Sequence, residues 1–176
     1  MKKERKKPDL RNIKMLVLDV DGVLTDGTIV VDETGRETKF FNVLDGHGIR
    51  MWRRAGMKTA FLSGRKSGPT KQQASELSIE YCLENCKDKL ACFEKLLEKS
   101  GLSAGQIAYA GDDLPDLPVM KRAGFAAAVP DAADEIKKAA HYITKKKGGS
   151  GAVREIIEYI LKKTGKWDIQ LQRYLK

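Results

Sequence analysis

Short apolar runs recur along this chain, and each is followed by a segment of helical periodicity. MLVLDV (Met15 to Val20), KTAFLSGR (Lys58 to Arg65), IEYCLE (Ile79 to Glu84), QIAYAGDD (Gln106 to Asp113) and FAAAVP (Phe125 to Pro130) read as buried strands, and HYIT (His141 to Thr144) as a short further one. Between them, Ile49, Trp52 and Ala55 share a helical stripe, with Asp45 a candidate cap and Gly56 a stop. Leu90, Phe93, Leu96 and Leu97 form another, and Val153, Ile156, Ile157, Ile160 and Leu161 a third. SGPTKQQASELS, LPVMKRAG and DAADEIKKAA read as shorter helices. Strands alternating with helices predict a parallel sheet covered on both faces. Runs that are apolar throughout, rather than at every second residue, agree with that burial. The expected class is α/β: a single Rossmann-like doubly wound parallel sheet, in one domain spanning 1–176. One insertion departs from the alternation. TIVVDETGRETKFF (28–41) predicts a β-hairpin turning at ETGR.

In such sheets, ligands bind outside the carboxyl ends of the strands. That rule gathers the informative residues on one rim. Asp19 and Asp21 follow the first strand, and Ser63, Gly64 and Arg65 the second. Lys89 opens the helix after the third, and Gly111, Asp112 and Asp113 follow the fourth. Several carboxylates at one place repel each other unless a cation offsets them. A hard divalent ion with oxygen ligands, Mg²⁺ by preference, suits the set and would attract a phosphate. The Ser63 hydroxyl and backbone N–H groups can hold phosphoryl oxygens, a lysine can offset charge among the acids, and an aspartate can act as a nucleophile toward phosphorus. Each residue alone has a plainer reading. An aspartate pair after a strand caps a helix, Ser63 turns the chain, and Lys89 is a solvated helix lysine. Their convergence on one rim favours the site.

The remaining composition narrows the class. Apolar residues make up 41% of the 176, enough for a core, and no apolar run reaches the ~18 residues of a membrane span. The basic start (an expected extension over 1–13) lacks a following apolar segment and does not read as a secretory signal. Of the net charge of +9, much sits in the first seven residues and in Lys145 to Lys147. It is not interleaved with aromatics, so the expectation is no nucleic-acid partner. Cys82, Cys86 and Cys92 match no zinc or disulfide framework and read as reduced thiols of a cytoplasmic protein. His47 and His141 read as surface or loop residues rather than ligands.

The motifs DVDGVLTDG, LSGR, DKL and GDDLPD together resemble those of the haloacid dehalogenase superfamily, phosphatase branch. FNVLDGHGI, GGSGAVREIIEYIL and GKWD further resemble the 3-deoxy-D-manno-octulosonate 8-phosphate phosphatases, so the resemblance runs from about Lys14 to Trp167. It implies Asp19 as nucleophile, forming an aspartyl-phosphate, and Asp21 as the general acid and then base. Ser63 would bind a phosphoryl oxygen and Lys89 balance charge. Mg²⁺ would sit on Asp19, the Asp21 carbonyl and Asp112, with Asp113 and Asp116 supporting. Asn42, Val43, Leu44, Asp45, Gly46, Arg50, Gly64, Arg65 and Gln73 match positions facing the substrate, some across a subunit boundary. Gly148 to Gly151 would form a loop near the site.

The resemblance also implies a small anionic sugar phosphate as substrate and a role in lipopolysaccharide sugar biosynthesis. The protein is expected to be a homotetramer whose hairpins pair centrally, with each tail (165–176) reaching toward a neighbour's site. Neither the gap before the second strand nor that between Arg65 and Lys89 has room for a cap domain. Two positions depart from the family pattern: Gln73 and Leu44 stand where relatives often carry arginine. Competing readings are a nonulosonate 9-phosphate phosphatase, which relatives' frequent lack of the Arg65-type arginine disfavours, and a catalytically idle regulatory subunit.

Overall fold

The computed structural model describes residues 7–175; most of the basic N-terminal run lies outside them. Eight strands and seven α-helices follow in order: β1 (Met15–Leu18), β2 (Val30–Val31), β3 (Glu37–Thr38), α1 (Val43–Arg54), β4 (Lys58–Leu62), α2 (Gly68–Glu76), β5 (Tyr81–Leu83), α3 (Lys89–Ser100), β6 (Ile107–Gly111), α4 (Leu117–Arg122), β7 (Phe125–Ala128), α5 (Asp134–Ala139), β8 (Tyr142–Ile143), α6 (Ala152–Lys163) and α7 (Trp167–Gln172). Six strands form one sheet in the order β5-β4-β1-β6-β7-β8. Every pairing in it is parallel.

The period-two rule for side chains divides β1 between two cores. Leu16 and Leu18 pack with Ile49 and Trp52 of α1 and with Val153, Ile156 and Ile160 of α6. Met15 and Val17 face the other way, onto Phe93 and Leu96 of α3, Met120 of α4 and Ile136 of α5. Helices on both faces make the apolar strands a physical necessity. The order also puts β1 in the middle, so the residues that follow it lie between β4 and β6.

Local signals explain the helix starts. Asn42, not the expected Asp45, caps α1 by accepting the Leu44 N–H. Asp88 caps α3 through Ala91, which starts that helix at Lys89. Asp45 sits inside the first turn of α1 and is buried. Its carboxylate accepts the N–H groups of Gly151 (3.2 Å) and Arg154 (2.8 Å), so it caps α6 from across the core.

The hairpin is present, but each strand is two residues long. The tail forms a helix, α7, absent from the sequence reading. The tail packs on α1 of the same chain: Tyr174 meets Arg54 (2.8 Å) and His47 (2.7 Å), and Gln170 is buried. The cysteine expectation needs correction. Cys86 and Cys92 form a disulfide, while Cys82 is free and exposed. The chain turns into α3 directly after Cys86, and the first helical turn carries Cys92 back beside it, with Cα atoms 6.0 Å apart.

Candidate active site

The loop after β1 is built to expose carboxylates. Asp19 continues the sheet, its N–H donating to Ala110 O at 3.0 Å. Thr25 then folds the loop back on itself, its buried hydroxyl accepting N–H groups from Gly22 (3.4 Å) and Gly27 (3.2 Å). Gly22 has φ +93°, and a Cβ there would lie 2.0 Å from Asp112 Oδ2. Only glycine lets the β1 and β6 loops approach this closely. Gly148 and Gly149 lie directly behind the same loop: a Cβ on Gly148 would be 1.9 Å from Gly22 O. The glycine-rich stretch is thus the backing of the site rather than a linker.

A cavity of about 520 Å³ opens at this rim. Asp19, Asp21, Ser63, Gly64, Arg65, Lys89 and Asp112 all line it. Lys89 Nζ bridges Asp19 Oδ1 (2.8 Å) and Asp116 Oδ1 (2.6 Å). Asp116 is fully buried, and its partners consume it: besides Lys89 it accepts the Tyr109 hydroxyl (2.5 Å) and the N–H groups of Asp112 (3.1 Å) and Asp113 (3.3 Å). It therefore aims Lys89 and shapes the β6 loop.

The electrostatics call for a cation. Burial, then the charge of Asp116, pushes the Asp19 carboxyl well above the usual carboxylate range, although Lys89 pulls it back. Burial pushes Asp112 up to about 6, a rise its hydrogen bond with Asp19 opposes. Burial works against the Lys89 ammonium, but Asp19 and Asp116 hold it above the ordinary lysine value. One lysine does not outweigh the effect of burial on Asp19 and Asp112. Carboxylate oxygens of Asp19, Asp112 and Asp116 lie within 4.8 Å of one another, the spacing a single ion needs. Asp116 is already committed, which leaves Asp19 and Asp112 as the side chains that could hold an ion. The residues fit a hard, oxygen-ligated Mg²⁺.

Two sequence-derived groups separate in space. Ser63 is buried, its Oγ accepting the Arg65 N–H at 3.1 Å, and Arg65 is half exposed beside Glu37 (3.0 Å). Both belong to the catalytic cavity. Asn42, Val43, Gly46, Arg50 and Gln73 instead line a separate cavity of about 260 Å³ between α1 and α2. Arg50 pairs there with Glu76 at 3.0 Å. Leu44 is exposed, and Asp45 points into the protein. Sequence reasoning missed two further groups, Lys39 and Tyr109. Lys39 Nζ lies 2.5 Å from Asp21 Oδ1, and Tyr109 anchors Asp116. The polar pair Glu37 and Lys39, two apart and directly before Phe40 and Phe41, was the available signal.

The chain is similar to proteins of one family. Residues 84–157 match the family model of haloacid dehalogenase-like hydrolases. The 3-deoxy-D-manno-octulosonate 8-phosphate phosphatase KdsC of Escherichia coli K12 is 42% identical over 157 residues, covering 89% of this chain and 84% of that protein. The crystal structure of the 3-deoxy-D-manno-octulosonate 8-phosphate phosphatase from Moraxella catarrhalis, in complex with magnesium ion, phosphate ion and KDO, superposes with a TM-score of 0.91. It is 39% identical, over 94% of this chain and 95% of that one. The cobalt-bound deoxy-D-mannose-octulosonate 8-phosphate phosphatase of Haemophilus influenzae superposes with a TM-score of 0.90 at 38% identity, over 95% of this chain and 99% of that one.

Proposed function

The chain belongs to the haloacid dehalogenase-like hydrolases, among the 3-deoxy-D-manno-octulosonate 8-phosphate phosphatases, and we propose that it releases phosphate from that sugar acid in a Mg²⁺-dependent reaction. The observation that carries the reading is the meeting of Asp19, Asp21, Ser63, Lys89 and Asp112 in one cavity, on a chain 42% identical to a named phosphatase. Mg²⁺ would be held by the Asp19 and Asp112 carboxylates and the Asp21 backbone carbonyl, where it would offset the clustered negative charge and supply the Lewis acid that draws in phosphoryl oxygens.

The remaining chemistry belongs to the chain. Asp19 attacks phosphorus, the bond from phosphorus to the sugar oxygen breaks, and Asp21 gives that oxygen a proton. The phosphoryl group now rests on Asp19 as an acyl phosphate. Asp21, deprotonated, takes a proton from water as the water attacks phosphorus, which frees inorganic phosphate and restores Asp19. Ser63 and the Gly64 N–H hold phosphoryl oxygens through both steps. Lys89 offsets their charge from beneath. Arg65 is the planar donor that would meet an anionic oxygen pair on the sugar acid, with Glu37 orienting it meanwhile.

The α1–α2 cavity would complete recognition from a neighbouring copy. We propose a homotetramer joined through the hairpins, which leave Val30, Val31 and Phe40 exposed on each chain. Contiguous exposed apolar residues of this kind mark interaction sites. A charged phosphate ester does not cross a membrane unaided, so the enzyme must share a compartment with the source of its substrate, and the cytoplasm is the compartment proposed; the paired cysteines no longer speak for it. Among the described residues, no helix is long and apolar enough to cross a membrane.

Phosphate release from a panel of sugar phosphates tests the assignment. The octulosonate 8-phosphate should give the highest kcat/KM. A much higher value for a 9-phosphorylated nonulosonate would reassign the substrate, and release from neither would return the chain to an idle-subunit reading.

A further inference from the structure

We propose that Lys39 is a positioning residue for Asp21, and that the inner face of the hairpin is thereby part of the catalytic machinery; the inference rests on the phosphatase reading. Lys39 follows β3, and its side chain is wholly buried. Its ammonium lies 2.5 Å from Asp21 Oδ1. Burying an ammonium is unfavourable unless it is paired and hydrogen-bonded, so this lysine is held where its partner is. Asp21 in turn has no other hydrogen-bonding side chain among the described residues.

The need for such an anchor follows from the loop. Asp21 immediately precedes Gly22, whose backbone is in the left-handed region. Its side chain projects into an open cavity and is 20% exposed. The proposed reaction asks the same carboxyl to meet the sugar oxygen first and a water later. An unanchored carboxylate would sample rotamers useless for either, and misplacement of a catalytic group by about 1 Å can cost on the order of a hundredfold in rate. Lys39 meets Asp21 at Oδ1, and Asp21 lines the cavity.

A second contact from the same short segment points the same way. Glu37 is the residue two before Lys39, and its Oε1 takes the Arg65 guanidinium at 3.0 Å. Hydrogen bonds and the charges of Lys39 and Arg65 hold the Glu37 carboxyl below its ordinary value, against the opposing effect of burial, which is the largest. Glu37 of β3 and Lys39 just after it thus bring an anion to the arginine proposed to read the substrate and a cation to the acid–base residue. Two-residue strands make a weak hairpin by themselves, and these contacts tie it to the rim.

The test is a double-mutant cycle on octulosonate 8-phosphate at saturating Mg²⁺, with wild type, Lys39→Met, Asp21→Asn and the double variant. Lys39→Met should lower kcat by about ten- to a hundredfold, part of the range general acid–base catalysis supplies, with KM changed less than about threefold. Lys39→Arg should recover most of that loss. In the Asp21→Asn background the lysine change should cost less than about twofold, because its partner's function is already gone. Should Lys39→Met melt below assay temperature, Lys39→Gln and Lys39→Arg carry the same comparison, with circular dichroism confirming the fold. A kcat within about twofold of wild type, a loss confined to KM, or an equal loss in both backgrounds would overturn the inference. Wild-type turnover, measured alongside, separates the two claims: an inactive wild type fails the phosphatase reading and this inference with it, whereas an active wild type matched by Lys39→Met fails the inference alone.

Discussion

Asp45 and Asp19 are both buried carboxyls, and what faces each decides its role. Asp19 meets a lysine and lines an open cavity with other acids, and the role proposed for it is catalytic. Asp45 faces backbone N–H groups at the start of α6, and its chemistry is structural. Burial lifts the Asp45 carboxyl from its ordinary 3.8 to about 6, against the pull of the Arg154, Gly151 and Val153 N–H groups. A folded value above the unfolded one means that the folded state holds the proton more tightly. The associated stability is fully present below about pH 4 and is lost as pH rises through about 6. At about 1.4 kcal/mol per pH unit the loss comes to about 3 kcal/mol. Asp45→Asn removes the titration. Urea unfolding at pH 4 and pH 7 should therefore show the difference between the variant and wild type moving in favour of asparagine by that order. A difference independent of pH would mean that the helix N-terminus keeps Asp45 ionised throughout.

The elements matter here through how closely their backbones approach. Gly148 touches the Gly22 carbonyl and Thr25 carbonyl across the two loops, and a Cβ would lie 1.9 Å and 2.8 Å from those oxygens. Gly148→Ala must displace the loop that carries Asp19 and Asp21. It should lower kcat at least tenfold and destabilise by about 1–3 kcal/mol, as overpacking does. Gly68→Ala at the start of α2, where nothing lies within 4 Å, should do neither. Equal kcat values for the two variants would remove Gly148 from the backing of the site.

The same closeness marks the limit of what the sequence discloses. The sheet, its helices and the residues of the catalytic rim are legible because apolar periodicity and strand ends are local signals. Lys39 and Asp21, 18 residues apart, meet only because the hairpin folds back over the β1 loop. Asp45 and Arg154, 109 apart, meet only because α1 packs on α6. Cys86 pairs with Cys92 because a helix begins between them. The partition of the expected substrate residues into two cavities likewise depends on how α1 and α2 pack, which no single segment encodes.

For the whole molecule, the open catalytic cavity and the exposed hairpin raise one question. Among the described residues no cap domain covers the rim, and Val31 and Phe40 are 56% and 69% exposed. Light scattering should report about four times the 19.6 kDa chain mass, and Phe40→Asp should lower that mass, with turnover falling alongside. An active wild-type monomer would reject the tetramer while leaving the chemistry in place. That chemistry is tested most directly by phosphate release from octulosonate 8-phosphate, measured for wild type and Asp19→Asn, each before and after chelation of divalent metal. Wild type should turn over, stop when metal is chelated and recover on addition of Mg²⁺. Asp19→Asn should show no turnover in any condition while keeping its fold, since an amide cannot attack phosphorus. Release that survived chelation, or an Asp19→Asn enzyme near wild-type rate, would contradict the assignment of Asp19 as the nucleophile of a Mg²⁺-dependent phosphatase.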